Sequence, residues 1–199
     1  MKHLTLLAVI CITSFMMSHT FGQASDLVTA EKTMQSCLDH FEQDDKRKYY
    51  IQEVVLSEGH SKDQLFDALR MWMSEHFKDE NFVLNTDDKE AGILAGRGWT
   101  YFGVTADWPT VRMYYSVRIA VRDGKYRFRI FHVEFDDHAS DDTASGMSTI
   151  TDKINATYDE NGQLELGAQY AFTSQALQSV IESEESLLNV DITGFLSVR

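Results

Sequence analysis

Four residues recur at every second position past the middle of the chain: His132, Glu134, Asp136 and His138. On one β-strand they would share a face, and imidazole and carboxylate groups so arranged suit a divalent cation. Asp137 and Asp142 argue instead that loop begins near residue 136, so these side chains read as solvated and no metal is expected. A second set is basic. Arg112, Tyr114, Arg118, Arg127 and Arg129 fall on the polar side of two alternating stretches, VRMYYSVRIAVR and KYRFRIFHVEF, in a chain of formal net charge −13. Guanidinium groups gathered this way suit two-pronged recognition of an anion. The rival explanation is internal. Residues 136–199 carry twelve Asp and Glu against Lys153 and Arg199 and follow these strands directly, so the expectation is that this acidic third covers and neutralises the arginines.

Other chemistries find little support. SGMST (145–149) lacks the second glycine of a nucleophile elbow. GRGWTYFG (96–103) holds close glycines inside a strand pattern, not between a strand and a helix. TYDENGQLELGA (157–168) places Thr157 first and Ala168 last, where a calcium loop needs acidic ligands. Cys37 is the only cysteine beyond Cys11 and reads as a small buried hydrophobe. With 31 Asp and Glu, paired carboxylates carry no information. No cofactor is expected, and the negative charge argues against nucleic acid as a partner.

The elements that must position these residues begin after residue 24. Lys2 and His3 precede an apolar run from Leu4 to Met17, with small residues at Gly22 and Ala24. That is the layout of a signal peptide (1–24), with cleavage after Gly22 or Ala24. The run is shorter than the ~20 residues a spanning helix needs, so no stable membrane span is expected after its removal. Residues 25–48 give a helix over 26–42 and a charged linker, DDKRK. YYIQEVVL (49–56) reads as a strand. Ser61 with Gln64 forms a capping box for a helix over 62–77 whose apolar face is Leu65, Phe66, Leu69, Trp72, Met73 and Phe77. FVLNTD and AGILAGRGWTYFGV follow as strands. Gly92, Gly96 and Gly98 share a face of the second by period two, which predicts a helix packed close over them or a sharp bend.

The alternating pair then forms a hairpin. Asp123-Gly124 predicts a two-residue type I′ turn, which sets Arg118 opposite Arg129 and Arg122 opposite Lys125. The apolar phase changes from Tyr126, Phe128 and Ile130 to Phe131, Val133 and Phe135, predicting a β-bulge at Ile130–Phe131. Residues 136–149 read as loop, 150–169 stay ambiguous apart from a possible small hairpin at Asn161-Gly162, and 172–189 form a closing helix. The fold class is α+β: β-α-β-β-β-β-α, an antiparallel sheet with helices on one face and an N-terminal helix. Residues 49–136 form the core and 137–199 an acidic extension of the same domain.

SEGHSKDQLFDALRMWMSEHF, NTDDKEAGILAGRGW and YYSVRIAVRDGKYRFRIFHVEF, in this order and spacing, resemble the bacterial exported family known as domain of unknown function 4468. The resemblance covers about residues 50–136. It implies a fold like that of the TATA-binding protein and an envelope setting, periplasmic or extracellular; it implies no activity and assigns no functional residue. The expected function is a non-enzymatic binding or interaction module, whose partner is an unknown envelope protein or a small anionic ligand. The alternatives are an enzyme, in particular a hydrolase around His132 and Glu134, and a structural protein that dimerises through its sheet edge.

Overall fold

The computed structural model describes residues 26–77, 83–102, 111–136, 147–192 and 194. The leader-like residues 1–24, the stretch TADWPT and His138 lie outside the described residues. The elements run α1 (26–38), β1 (Glu42–Gln43), β2 (Tyr49–Leu56), α2 (Lys62–His76), β3 (Val83–Asp88), β4 (Ile93–Phe102), β5 (Val111–Arg122), β6 (Lys125–Asp136), β7 (Met147–Thr149), α3 (Ile150–Asn155) and α4 (Ala168–Leu188). The strands form one antiparallel sheet in the order β1-β2-β6-β5-β4-β3, with β7 added to the end of β6. This is the expected α+β layout, extended by two short strands and a short helix.

Alternation dictates the central strands. Met113, Tyr115, Val117, Ile119 and Val121 of β5 and Tyr126, Phe128, Ile130, Val133 and Phe135 of β6 are buried, while Arg112, Arg118, Arg122 and Arg127 are exposed. The helices cover the buried face. α2 starts at the expected capping box: Ser61 accepts from the Gln64 N–H, and the Gln64 side chain accepts from the Ser61 N–H. Its buried Leu65, Phe66, Leu69 and Met73 are each worth about 1.5–3 kcal/mol on leaving water. The glycines of β4 admit this layer. A Cβ on Gly98 would stand 2.1 Å from Cδ1 of Phe77, the residue that ends α2, so the predicted close approach of the helix is made by that ring. α4 lies over the same face, where the Tyr115 hydroxyl meets both His76 Nε2 (2.7 Å) and Ser183 Oγ (3.2 Å) and Tyr126 donates to the Leu187 carbonyl at 2.6 Å. Burial drives the Tyr115 pKa far above its usual value and pushes that of Tyr126 up to about 12. Of the two leucines that end this helix, Leu187 is fully buried and Leu188 is 39% exposed.

Two expectations for the hairpin need correction. The Arg122↔Lys125, Ala120↔Arg127 and Arg118↔Arg129 pairs form as expected, but the turn between them is not type I′. That turn needs positive φ at both central residues, and only Gly124 has it (φ 70). Asp123 is held otherwise: its carboxylate accepts from the Lys62 N–H at 2.7 Å, at the start of α2. The Gly124 N–H donates to the His60 carbonyl and its carbonyl accepts from the Ser57 N–H. The bulge lies later than predicted. Ser116 still opposes Phe131 and Tyr114 opposes Glu134, so His132 and Val133 together face Tyr115. His132 takes the left-handed conformation, φ 53, which histidine tolerates far better than isoleucine or phenylalanine. Phe131 therefore stays on the arginine face rather than joining the core.

The remaining surprises are local. DDKRK turns the chain from β1 into β2, with Asp44 accepting from the N–H groups of Lys46 and Lys48. The ambiguous segment holds α3, capped by Thr149 and Asp152, then a small antiparallel turn in which Tyr158 faces Leu164.

Candidate functional site on the open face of the sheet

β2, β4, β5 and β6 present one face away from the helices. Across it, Gln52, Arg129 and Arg118 stand side by side, as do Val54, Arg127 and Ala120. Arg118, Arg127 and Arg129 frame a hollow of about 360 Å³, with Gln52 and the small Ala120 between them. A neighbouring hollow of about 230 Å³ adds Arg122 and Lys125. Val54 and Leu56 on the same face are 55% and 71% exposed. Among the described residues the expected acidic cover is absent: the described part of residues 136–199 places β7 and α3 at the end of β6 and α4 on the opposite face. Among the described residues no carboxylate makes an ion pair with Arg118, Arg127 or Arg129; the only arginine of this face so paired is Arg97, with Glu134. One acid of the extension is held elsewhere for a physical reason. Glu184 belongs to the buried side of α4, where it pairs with His40 at 2.8 Å, and burial raises its pKa.

The other predicted site residues, Arg112 and Tyr114, stand apart from this trio. They belong to an aromatic ledge further along β4 and β5, where Arg112 lies 5.2 Å over the Trp99 ring and Arg97 lies 5.9 Å from that of Tyr114. Trp99 meets Tyr101 edge to face at 4.6 Å. Hydrogen bonding to Tyr114 and Tyr101 raises the Arg112 pKa further and keeps its charge fixed. So the five predicted residues form two groups on one face, not one cluster.

A third feature was missed by sequence reasoning. β2 pairs with β6 only as far as Ile130, and β7 only from Glu134. Between them Phe131, His132 and Val133 have no strand neighbour on that edge among the described residues. The gap opens as a notch of about 340 Å³ between the β1–β2 turn and the start of α3. His132 and Glu134 both line it, the pair on which the hydrolase alternative rested. Glu134, however, is bound to Arg97, and the left-handed His132 breaks the alternation that would align it with Glu134 and Asp136. Among the described residues no group of three metal-ligating side chains is assembled. A phase slip next to a histidine was the one sequence signal for the notch.

Comparison with known proteins supports the architecture. The family model described as "Domain of unknown function (DUF4468) with TBP-like fold" matches residues 51–136. A DUF4468 family protein from Bacteroides ovatus ATCC 8483 has a similar structure, with TM-score 0.60, 14% identity, and 74% of this chain and 88% of that chain covered. A TBP-like protein from Parabacteroides distasonis ATCC 8503 gives TM-score 0.57, 16% identity, and coverage of 72% and 92%. At such identities the likeness is one of fold. No curated protein matches the chain. No helix among the described residues is long and apolar enough to cross a membrane.

Proposed function

We propose, on the premise that residues 51–136 are a DUF4468 domain with a TBP-like fold, that this protein is an exported binding module whose open sheet face takes an anionic ligand. The leader-like layout of residues 1–24 supports the exported setting. One observation carries the binding reading: three guanidiniums surround a hollow and form no ion pair among the described residues. Like charges set opposite one another disfavour the sheet by about 0.2–1 kcal/mol per pair, and a bound anion reverses the sign of that contribution. Arginine also matches a carboxylate, sulfate or phosphate with two parallel hydrogen bonds.

The test is a thermal-unfolding titration with citrate at constant ionic strength. A ligand that binds only the folded state raises stability by RT ln(1 + [L]/Kd), so the wild type is expected to show a saturable rise. The Arg118→Ser/Arg127→Ser variant is expected to lose it. An equal rise in both proteins would remove the arginine hollow from consideration. A second reading, acid–base catalysis in the notch, has one observation in its favour, the presence of His132 and Glu134 in the same pocket. Ester or phosphoester turnover abolished by His132→Ala would establish it; turnover unchanged by that substitution, or no turnover, counts against it.

A further inference from the structure

We infer that the notch in the edge of β6 is a second binding site, built for a small planar anion: one aromatic or heteroaromatic ring system carrying a carboxylate or a phosphate. It is distinct from the arginine hollow, with which it shares only Arg129.

Four independent observations meet there. The first is strain. His132 holds a left-handed backbone inside a strand, a conformation that costs about 1–3 kcal/mol and persists where the surroundings demand it. The second is unsatisfied polarity. Two buried side-chain polar atoms among the described residues lack a hydrogen bond, Arg129 Nε and Ser148 Oγ. The first sits on a residue lining the notch; the second lies on β7 in register with the buried Phe135, away from it. Such groups call for a specific explanation in a native fold.

The third is the charge balance of the walls. Three carboxylates line the notch and each is already engaged: Asp44 with the N–H groups of Lys46 and Lys48, Asp152 with the Thr149 N–H and hydroxyl, Glu134 with Arg97. Those backbone hydrogen bonds lower the Asp44 pKa, and the Thr149 contacts lower that of Asp152, so both stay ionised and committed. Lys46, Lys48 and Arg129 also line the notch and form no ion pair among the described residues. With Glu134 neutralised by Arg97, the walls hold Lys46, Lys48 and Arg129 against the ionised Asp44 and Asp152, a balance of one positive charge facing the space.

The fourth is the shape and lining. Tyr49, Tyr50, Phe131 and His132 supply rings. The Arg129 guanidinium lies 3.7 Å from the Tyr50 ring centroid and 5.7 Å from that of Phe131, a stacked stratum that a further flat ring continues. The volume, about 340 Å³, falls at the small-ligand end of the usual range of roughly 300–1,000 Å³. A peptide strand is a poor fit, because the unpaired edge is only residues 131–133, closed on either side by β2 and β7.

Isothermal titration with four probes tests this: 1-naphthyl phosphate, 1-naphthoate, inorganic phosphate and neutral 1-naphthalenemethanol. Both naphthyl anions are expected to bind at one site, at least about tenfold more tightly than the other two. The Lys46→Ala/Lys48→Ala variant, altered only on the exposed turn, is expected to lose at least that factor. Tyr50→Ala should do the same, checked for folding by circular dichroism. Arg118→Ser/Arg127→Ser should leave the binding unchanged while abolishing the citrate response, which separates this site from the proposed function. Equal affinity for inorganic and naphthyl phosphate, loss of binding in the Arg118/Arg127 variant, or no saturable binding by either naphthyl anion would overturn the inference.

Discussion

Arg118 and Arg129 oppose each other across β5 and β6, and that pair gives the sharpest test of whether the open face is truly unneutralised. Consider Arg118→Gln, which removes the charge and keeps most of the side chain. Two guanidiniums ~7 Å apart in a high-dielectric setting repel by ~0.6 kcal/mol before screening. At about 20 mM salt the Debye length is ~20 Å and ~0.4 kcal/mol remains; at about 0.5 M salt, only ~0.1 kcal/mol. Arg127 stands diagonally across the same hollow and adds a similar amount. Arg118→Gln should therefore stabilise the protein by roughly 0.5–1 kcal/mol at low salt, or ~1–4 °C in Tm for a domain of this size. The gain should shrink to almost nothing at high salt. Urea unfolding at the two salt concentrations measures it. A salt-sensitive loss of stability would refute the reasoning, since it would mean that a carboxylate of the chain pairs with Arg118. The same substitution should weaken citrate binding, so a more stable protein that binds less is the expected signature.

Three further outcomes follow from the packing. Gly98→Ala forces a methyl to 2.1 Å from the Phe77 ring and should cost about 1–3 kcal/mol; in a Phe77→Ala background the added cost should vanish, measured as a double-mutant cycle in urea. His76 is half-buried and its pKa is lowered by that burial, so the unfolded chain binds the proton first. Its stabilisation is present above the unfolded value of ~6.5 and is lost as pH falls below it. His76→Gln should flatten the slope of stability against pH between about 6.5 and 5; an unchanged slope would acquit this residue. Ser61→Ala removes one half of the capping box and should cost about 1 kcal/mol, read from the urea midpoint at an unchanged m-value.

Elements set by local rules were legible before the fold was known. YYIQEVVL, the Ser61–Gln64 cap and the two alternating strands needed no long-range information, and the hairpin register followed from a two-residue connection. The glycines of β4 gave away the close approach, though not that a single ring, Phe77, fills it. The bulge was misplaced because Phe131 is apolar yet belongs to the polar face, where it lies near the Arg129 guanidinium; alternation cannot distinguish that from a core position. α3 escaped notice because six residues are too few for a helical period to show, although Thr149 and Asp152 carried a capping signal. Where the acidic third would settle depended on tertiary packing. Glu184 appears in sequence as one acid among many; only the fold shows it buried against His40. The notch was illegible for the same reason, being made by where two strands stop.

The contact between Asp123 and the Lys62 N–H reaches beyond turn geometry. It joins residues 61 positions apart, so α2 receives part of its cap from a hairpin synthesised long after it. Together with the bonds of Gly124 to Ser57 and His60, it clips the end of β2, the start of α2 and the β5–β6 turn into one knot. These segments should open together in native-state hydrogen exchange, and α2 should gain full protection during refolding only once the hairpin has closed. Such a delay would mark the turn as a checkpoint in the order of folding, set at the far end of the sheet from the notch.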